Sequence, residues 1–539
     1  MKMTESRLAE TVLTGRIGAT TRRILVTEPL GEEGLALLQA QAQVDVCLEK
    51  SPEELTALIP PYHALIVRSA TKVNAALLEA GRNLIVVGRA GVGVDNIDLE
   101  TATRRGITVV NAPTTNIVAA AEHTIALMFA LARQIPQADQ SLRAREWKRE
   151  QFVGVELVGK RLGLVGLGRV GSQVARRAVG LGMQVIAFDP YLSSERAQQL
   201  QVKLVSFQEL LSSSDFISLH APATRETKQL MGAPEFAMLK PGARLINAAR
   251  GSLIDEAALL DALENGTLAG AALDVFAREP PDNARLLQDP RVVITPHLGG
   301  STLESQVRVS LEIAGEVLAV LQAQPAHFAV NAPLVPPSLA SRLPPFIDLA
   351  ERLGRFFIQW VGGPLDSIEI EYAGSLAAEE TGVLTAAVIK GLLEPIHEDR
   401  VNLVNARLVA QAHGLKVSER KTQTAARYED LIGLRGARQV VGAVLQNQPH
   451  IVQLDGKWVD VQADGLLLMT RHRDRPGMIG KVGTLLGGAD INIASMQVAR
   501  VEARGESIMV LSLDDAVPAA VFEKLRQEPD IQWVKVVQI

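Results

Sequence analysis

Residues 160–191 read KRLGLVGLGRVGSQVARRAVGLGMQVIAFDPY, and the order of parts in this stretch decides the fold around it. An apolar run, Leu162 to Val165, has the length and composition of a buried strand. It leads into Gly166-Leu167-Gly168-Arg169-Val170-Gly171, a G-x-G-x-x-G pattern, and then into a helix-like segment from Ser172 to Gly180. A second apolar strand, Met183 to Phe188, ends at Asp189. Gly166 permits a tight turn, Gly168 lets backbone approach a pyrophosphate, and Gly171 lets the helix pack closely on the strand. The helix N-terminus then offers free N–H groups to phosphate. Asp189 stands 18 residues after Gly171, where a carboxylate binds both ribose hydroxyls and repels a 2′-phosphate. The stretch therefore predicts a βαβ dinucleotide-binding unit that takes NAD rather than NADP.

Upstream, ILVTE (24–28), ALIVR (64–68), LIVVGRAG (84–91) and ITVVNAP (107–113) read as strands with helical patterns between them. Downstream, FISLHAP (216–222), ARLINAARG (243–251), AGAALDVF (269–276) and VVITPHLGG (292–300) continue the alternation. Alternating strands and helices predict parallel sheets covered on both faces. A helix is expected from about Ile117 to Arg133, and a long one within Thr302–Ala323 that returns to the first unit. The chain thus begins one α/β unit and inserts a second. NAPLVPPSLASRLPPF (331–346) holds five of the 26 prolines and reads as a stiff linker. The segment after it, to about Asp464, mixes helix-like and strand-like stretches, with a hairpin expected at Asp455-Gly456. Residues 465–539 read β-α-β-β-α-β, the ferredoxin-like pattern, with the first helix expected to start at Pro476.

At 539 residues the chain is long enough for three or four such units. Lys and Arg number 55 against 60 Asp and Glu, so no basic footprint for nucleic acid exists. No apolar run is long enough to span a bilayer. The single cysteine, Cys47, excludes an intrachain disulfide and fits a reducing, cytoplasmic setting. Residues 1–23 carry five basic residues with Ser and Thr, the alternative being a transit-peptide remnant and an organelle; Glu5 and Glu10 weigh against it.

Three residues beyond predicted strand ends carry reaction chemistry: Arg250 in NAARG, Glu279 in DVFAREPP and His297 in ITPHLGG. Doubly wound folds bind ligands at those ends. Oxidising an alcohol with NAD needs a base for the hydroxyl proton, and histidine suits near-neutral pH. A carboxylate can orient the imidazole, and an arginine can pin a substrate carboxylate through two hydrogen bonds. Taken singly, each residue reads equally well as a capping histidine, a solvated turn glutamate and a structural ion-pair arginine.

Together, NAARGSLID, ALDVFAREP and ITPHLGGST resemble the signature blocks of the D-2-hydroxyacid dehydrogenase family over about residues 24–330. The resemblance implies an Arg250–Glu279–His297 triad in which His297 is the acid/base, Glu279 its partner and Arg250 the substrate clamp. It places Val92, Gly166, Gly168, Arg169, Val170, Gly171, Asp189, Ala221, Ala248, Ala249, Arg250, Asp274, His297, Gly299 and Gly300 along the NAD cofactor, and calls for no metal. Family members can carry Thr where Val92 stands, so here only the backbone is on offer. VRSATKV and GRAGVGVDNID are similar to the family's substrate loops and implicate Arg68, Ser69, Arg89 and Gly91. Over nearly the whole chain the architecture resembles the long branch of the family that oxidises 3-phospho-D-glycerate to 3-phosphooxypyruvate, the first step toward serine. That implies a flavodoxin-like substrate domain (24–120 and 301–330), an inserted Rossmann domain (121–300), an α+β intervening domain with its linker (331–464) and a C-terminal ACT domain (465–539). TRHRDRPGMIGKVGTLLGGADINIASMQ resembles an ACT ligand edge, implying that His472, Asp474 and Asn492 hold L-serine between two subunits of a homo-oligomer, a dimer or tetramer. The rival readings are a reductase of 2-oxoglutarate, hydroxypyruvate or glyoxylate, and a non-catalytic NAD-sensing protein.

Overall fold

The computed structural model describes residues 22–324, 326–333, 335, 339, 341–397, 400–500, 502 and 504–539. Residues 1–21, on which most of the transit-peptide alternative rests, lie outside the described residues. The described chain forms four sheets.

The first sheet is parallel and takes Arg23–Val26, Gln43–Val46, Ala64–Val67, Val86–Arg89 and Thr108–Asn111 in the spatial order second, first, third, fourth, fifth. That is the flavodoxin-like order. Its central strands are apolar on both faces: Ile24, Leu25 and Val26 are fully buried, as are Ala64, Leu65 and Val67. The edge strand Gln43–Val46 gives no apolar run because Gln43 and Val46 are exposed and Val44 and Asp45 only half-buried, and the sequence patterns pass over it. The returning helix, Leu303–Leu321, packs on helix Glu32–Gln39 and on the strands Val86–Arg89 and Thr108–Asn111. The approach is close: a Cβ on Gly34 would stand 2.5 Å from the Ser310 carbonyl oxygen.

The second sheet is also parallel. In chain order its strands are Arg161–Val165, Gln184–Phe188, Lys203–Leu204, Phe216–Leu219, Ala243–Asn247, Leu268–Leu273 and Val292–Ile294. Their spatial order is third, second, first, fourth, fifth, sixth, seventh, the Rossmann order with one further strand. Helix Ile117–Arg133 lies where the sequence puts it. It carries the chain out of the first unit and packs on the fingerprint helix Arg169–Gly180 and on the second sheet.

The third sheet has six strands, mostly antiparallel, covered by helices Pro344–Val361 and Gly382–Leu393. The proline-rich linker is therefore shorter than expected: Pro344 and Pro345 start a helix, where a missing N–H costs nothing. The hairpin forms as expected between Gln448–Leu454 and Lys457–Gln462, with Asp455 (φ 44°) and Gly456 (φ 78°) both left-handed at the turn.

The fourth sheet follows from β-α-β-β-α-β: Leu466–Arg473, Ile493–Arg500, Glu506–Leu513 and Ile531–Gln538, with helices Met478–Gly487 and Ala519–Gln527. In space the strands run second, third, first, fourth, all antiparallel. Pro476 stands outside the first helix, which begins after Gly477 (φ 93°). One face of this sheet is not free. Leu467, Met469, Ile508, Val510 and Val537 share a core with Phe356, Phe357 and Trp360 of the third unit, so the last two units meet through packed apolar side chains.

Candidate active site

The fingerprint loop is shaped by three glycines that differ in what a side chain would meet. Gly166 has φ 95°, and a Cβ there would lie 2.8 Å from the His220 carbonyl oxygen. A Cβ on Gly171 would lie 2.3 Å from the Gly166 carbonyl oxygen, so helix and strand touch through that glycine. Gly168 faces open space, with nothing within 4 Å. An empty approach beside the first turn of a 12-residue helix fits a pyrophosphate. Asp189 follows the second strand, and its carboxylate accepts from Leu167 N (2.9 Å) and Tyr191 N (3.0 Å). The acid thereby braces the glycine turn while standing where a ribose would lie. Arg169 reaches the Pro113 carbonyl at 3.3 Å, joining the helix start to the segment between the units. These residues fit an NAD molecule.

His297 and Glu279 come together as the sequence expects. His297 Nδ1 is 2.8 Å from Glu279 Oε2, and Glu279 Oε1 accepts from Phe276 N at 3.2 Å. Burial raises the Glu279 carboxyl, but the hydrogen bond and charge of His297 outweigh it and hold it below the ordinary glutamate range. Because Nδ1 is tied to Glu279, Nε2 is the nitrogen left for a substrate. Arg250 is set by Asn247, a buried side chain that accepts from Ala249 N (3.0 Å) and donates to the Arg250 carbonyl (2.9 Å). Gly251 then passes so close to Phe276 that a Cβ would stand 1.9 Å from its carbonyl carbon. That contact brings the Arg250 loop beside the segment carrying Glu279.

The first unit contributes the opposite wall. Arg68, Ser69, Arg89 and Gly91 line a cleft of about 300 Å³ together with Asn116, Glu279 and His297. Arg250 and Val92 line its continuation of about 320 Å³, which also reaches Arg89, Glu279 and His297. Arg89 lies over Gly91, where a Cβ would be 1.5 Å from its Nη1, and its buried Nε has no partner. Burial, then the nearby Arg250 and Arg68, lower the Arg89 guanidinium to about 10. Three guanidiniums converging on one cleft, one with an orphaned donor, make a site for an anion with more than one charged group.

Two supporting residues escape the sequence reading. Glu28 accepts the N–H groups of Arg68 (2.8 Å), Ala70 (3.1 Å) and Thr71 (2.9 Å), and Asn96 donates to the Arg68 and Thr71 carbonyls (2.8 and 2.7 Å). Together they fold the loop that presents Arg68 and Ser69. The only sequence signal for Glu28 is its place directly after the strand end ILVT. Asp274 and Gly299, which the resemblance places along the cofactor, are both buried in this structure. Asp274 is fully covered, and its carboxylate is turned into the loop that carries His297. Ala221, Ala248, Ala249, Val170 and Gly300 are partly exposed on the cleft side of the second sheet or beside it.

In the last unit, His472 is buried and Asp474 is bound by Arg500 (2.6 Å) and Arg504 N (3.0 Å). Asn492 pairs with Asp514 at 2.5 Å. Strand register puts Asn492 next to Ile493, opposite Leu513 and hence level with Leu466, six residues from His472. At roughly 3.4 Å per residue that is ~20 Å, so one chain does not bring the three together.

An NAD fingerprint, a histidine–carboxylate pair and an arginine-lined cleft between two α/β units define an NAD-dependent dehydrogenase of 2-hydroxy acids. Residues 125–299 match the model of the D-isomer specific 2-hydroxyacid dehydrogenase NAD binding domain, 342–455 the D-3-phosphoglycerate dehydrogenase intervening domain and 466–530 the ACT domain. The D-3-phosphoglycerate dehydrogenase of Synechocystis sp. is 44% identical over 95% of this chain and 94% of its own. That of Methanocaldococcus jannaschii is 43% identical over 96% of this chain and 100% of its own. Among solved structures, a glyoxylate reductase from Paecilomyes thermophila matches 58% of this chain and 99% of its own, at 29% identity and a TM-score of 0.54. The chain belongs to the D-3-phosphoglycerate dehydrogenase family.

Proposed function

We propose that this protein oxidises 3-phospho-D-glycerate to 3-phosphooxypyruvate with NAD, the entry step of serine synthesis. The observation that carries the reading is the 2.8 Å His297–Glu279 pair facing Arg68 and Arg89 across one cleft, with Arg250 beside the pair in the cleft's continuation. Oxidation removes a proton from the C2 hydroxyl and two electrons with the C2 hydrogen. NAD, when bound along Gly166–Gly171 and Asp189, supplies the two-electron acceptor. His297 Nε2 takes the hydroxyl proton, and Glu279 stabilises the resulting imidazolium through Nδ1. Arg250 holds the carboxylate, while Arg68 and Arg89 hold the phosphate, so the carbon that reacts is fixed from both ends. Domain bounds near 120, 300, 330 and 464 go with this division of labour: the first unit grips substrate, the second grips NAD, and their closure excludes water.

The reductase readings of hydroxypyruvate and glyoxylate leave the crowded arginines without a second anionic group to meet. An NAD-linked absorbance assay across 3-phosphoglycerate, 2-hydroxyglutarate, glycerate and glycolate tests the proposal. Preference for any unphosphorylated acid would overturn it. The ACT unit would take L-serine between two copies of the chain, since His472 and Asp474 on one copy need Asn492 from another.

A further inference from the structure

His297 stands in a backbone conformation that non-glycine residues rarely adopt (φ 56°), on the loop that leaves strand Val292–Ile294. A strained loop keeps its shape only if its surroundings over-determine it. Here the holding group is Asp274. Its Oδ1 accepts from Thr295 Oγ1 (2.6 Å) and Leu298 N (2.7 Å), its Oδ2 from Gly299 N (2.8 Å), and its carbonyl oxygen from His297 N (2.9 Å). No lysine or arginine reaches this fully buried carboxylate among the described residues; besides Thr295, the side chain that meets it is His123. His123 Nε2 is 3.1 Å from Asp274 Oδ1 and 3.1 Å from Thr295 Oγ1. Thr295 gives its own proton to Asp274, so both neighbours accept from the imidazole and Nε2 carries the hydrogen. Burial raises the Asp274 carboxyl, and the hydrogen bonds from His123, Thr295 and Leu298 outweigh burial to keep it below its ordinary range.

His123 lies on helix Ile117–Arg133, the first element after the chain crosses from the substrate unit. The residue before that helix, Asn116, lines the cleft and stands against Gly300 at the far end of the same loop, where a Cβ would be 3.1 Å from Asn116 Nδ2. One helix therefore touches the catalytic loop at both ends, through Asn116 at Gly300 and His123 at Thr295. His123 itself does not line the cleft.

We propose that His123 is a positioning residue for the reaction: its Nε2–H fixes the Asp274 carboxylate, which in turn holds the loop so that His297 faces Glu279 and the substrate. The proposal rests on the dehydrogenase reading above. It predicts a loss in the chemical step without a loss in binding, because neither the glycine fingerprint nor the arginine wall depends on His123.

The test compares His123→Phe, which keeps a ring and removes the donor, with His123→Gln, whose amide can place an N–H near the same point. Single-turnover rate, substrate KM, NADH affinity and melting temperature are measured for each. His123→Phe is expected to slow the single turnover by ~10- to 100-fold, the scale of a small misplacement of a catalytic group, with KM and NADH affinity unchanged. His123→Gln is expected to recover most of the rate. Thr295→Val removes the hydroxyl that shares the same hydrogen, and is expected to show the same rate-only loss if the Phe variant does not fold. An unchanged rate in His123→Phe or in Thr295→Val overturns the proposal. So does a rate loss that follows melting temperature and is not recovered by Gln, since that is a purely structural role. A wild-type enzyme active on another 2-hydroxy acid overturns only the substrate assignment, and the variants are then read on that acid. A wild-type enzyme inactive on every 2-hydroxy acid overturns both readings.

Discussion

The second and third glycines of the fingerprint, Gly168 and Gly171, make opposite demands, and substituting each with alanine separates folding from cofactor binding. In Gly171→Ala the new Cβ would stand 2.3 Å from a backbone oxygen, whereas real Cβ contacts stop near 3.0 Å. The helix and the strand–turn must part by at least about 0.7 Å, and neither is a side chain that can swing away. Overpacking of this kind costs about 1–3 kcal/mol. The melting temperature should fall, and NADH affinity should fall because the helix N-terminus has moved off its line. In Gly168→Ala the new methyl meets nothing within 4 Å, and φ −68° with ψ −153° is open to alanine. The folded protein is untouched, but the methyl occupies the approach a pyrophosphate needs. If 1–3 kcal/mol of that clash is paid on binding, NADH affinity drops by ~5- to 150-fold. Calorimetric titration with NADH, beside thermal melts of both variants, reads the two effects. Gly168→Ala should bind weakly at wild-type melting temperature, and Gly171→Ala should lose both. A Gly168→Ala variant that binds NADH as the wild type does would refute the placement of the pyrophosphate. A melting temperature lowered as much as in Gly171→Ala would refute the claim that this position is open.

His297→Ala should abolish turnover and leave NADH binding intact, with Glu279→Gln intermediate; normal turnover in the first removes His297 from the proton step. Asp189→Ala should weaken NADH binding and narrow the preference over NADPH in paired titrations, because the carboxylate both holds ribose hydroxyls and repels a 2′-phosphate. The Asp274 carboxyl is held below its ordinary 3.8, so its contribution to stability is complete above that pH and is lost as pH falls through the lower folded value. Melting curves from pH 7 to pH 3 should therefore flatten at the acid end in Asp274→Asn, and an unaltered acid limb would count against the role of that carboxylate. L-serine should slow the wild type with an affinity of ~1 mM or weaker, and Asn492→Ala should remove that response while keeping activity; calorimetry showing no serine binding would end the effector reading.

Sequence alone determined the nucleotide-binding stretch of the second unit, strand, glycine turn, helix and strand, to within a few residues. Glycine spacing, an apolar strand on each side and Asp189 are local requirements of one turn, and the structure supplies the close approaches those glycines imply. The same holds for helix Ile117–Arg133 and for the β-α-β-β-α-β tail, whose apolar periods are long and uninterrupted. Edge strands were hidden because Gln43–Val46 and Lys203–Leu204 bury too little to leave a pattern. The meeting of His297 with Glu279 was legible from their sequence blocks, but what holds His297 was not. Asp274, Thr295 and His123 are far apart in the chain, and in sequence His123 is only the middle of a short polar run, Glu122-His123-Thr124, on a largely apolar helix. Glu28 over the Arg68 loop, and the apolar seam that joins the last two units, likewise depend on which surfaces meet. Local turns and periods are written in neighbouring residues; the support of a strained loop and the closure of a core are set by contacts between distant ones, and only the tertiary structure decides those.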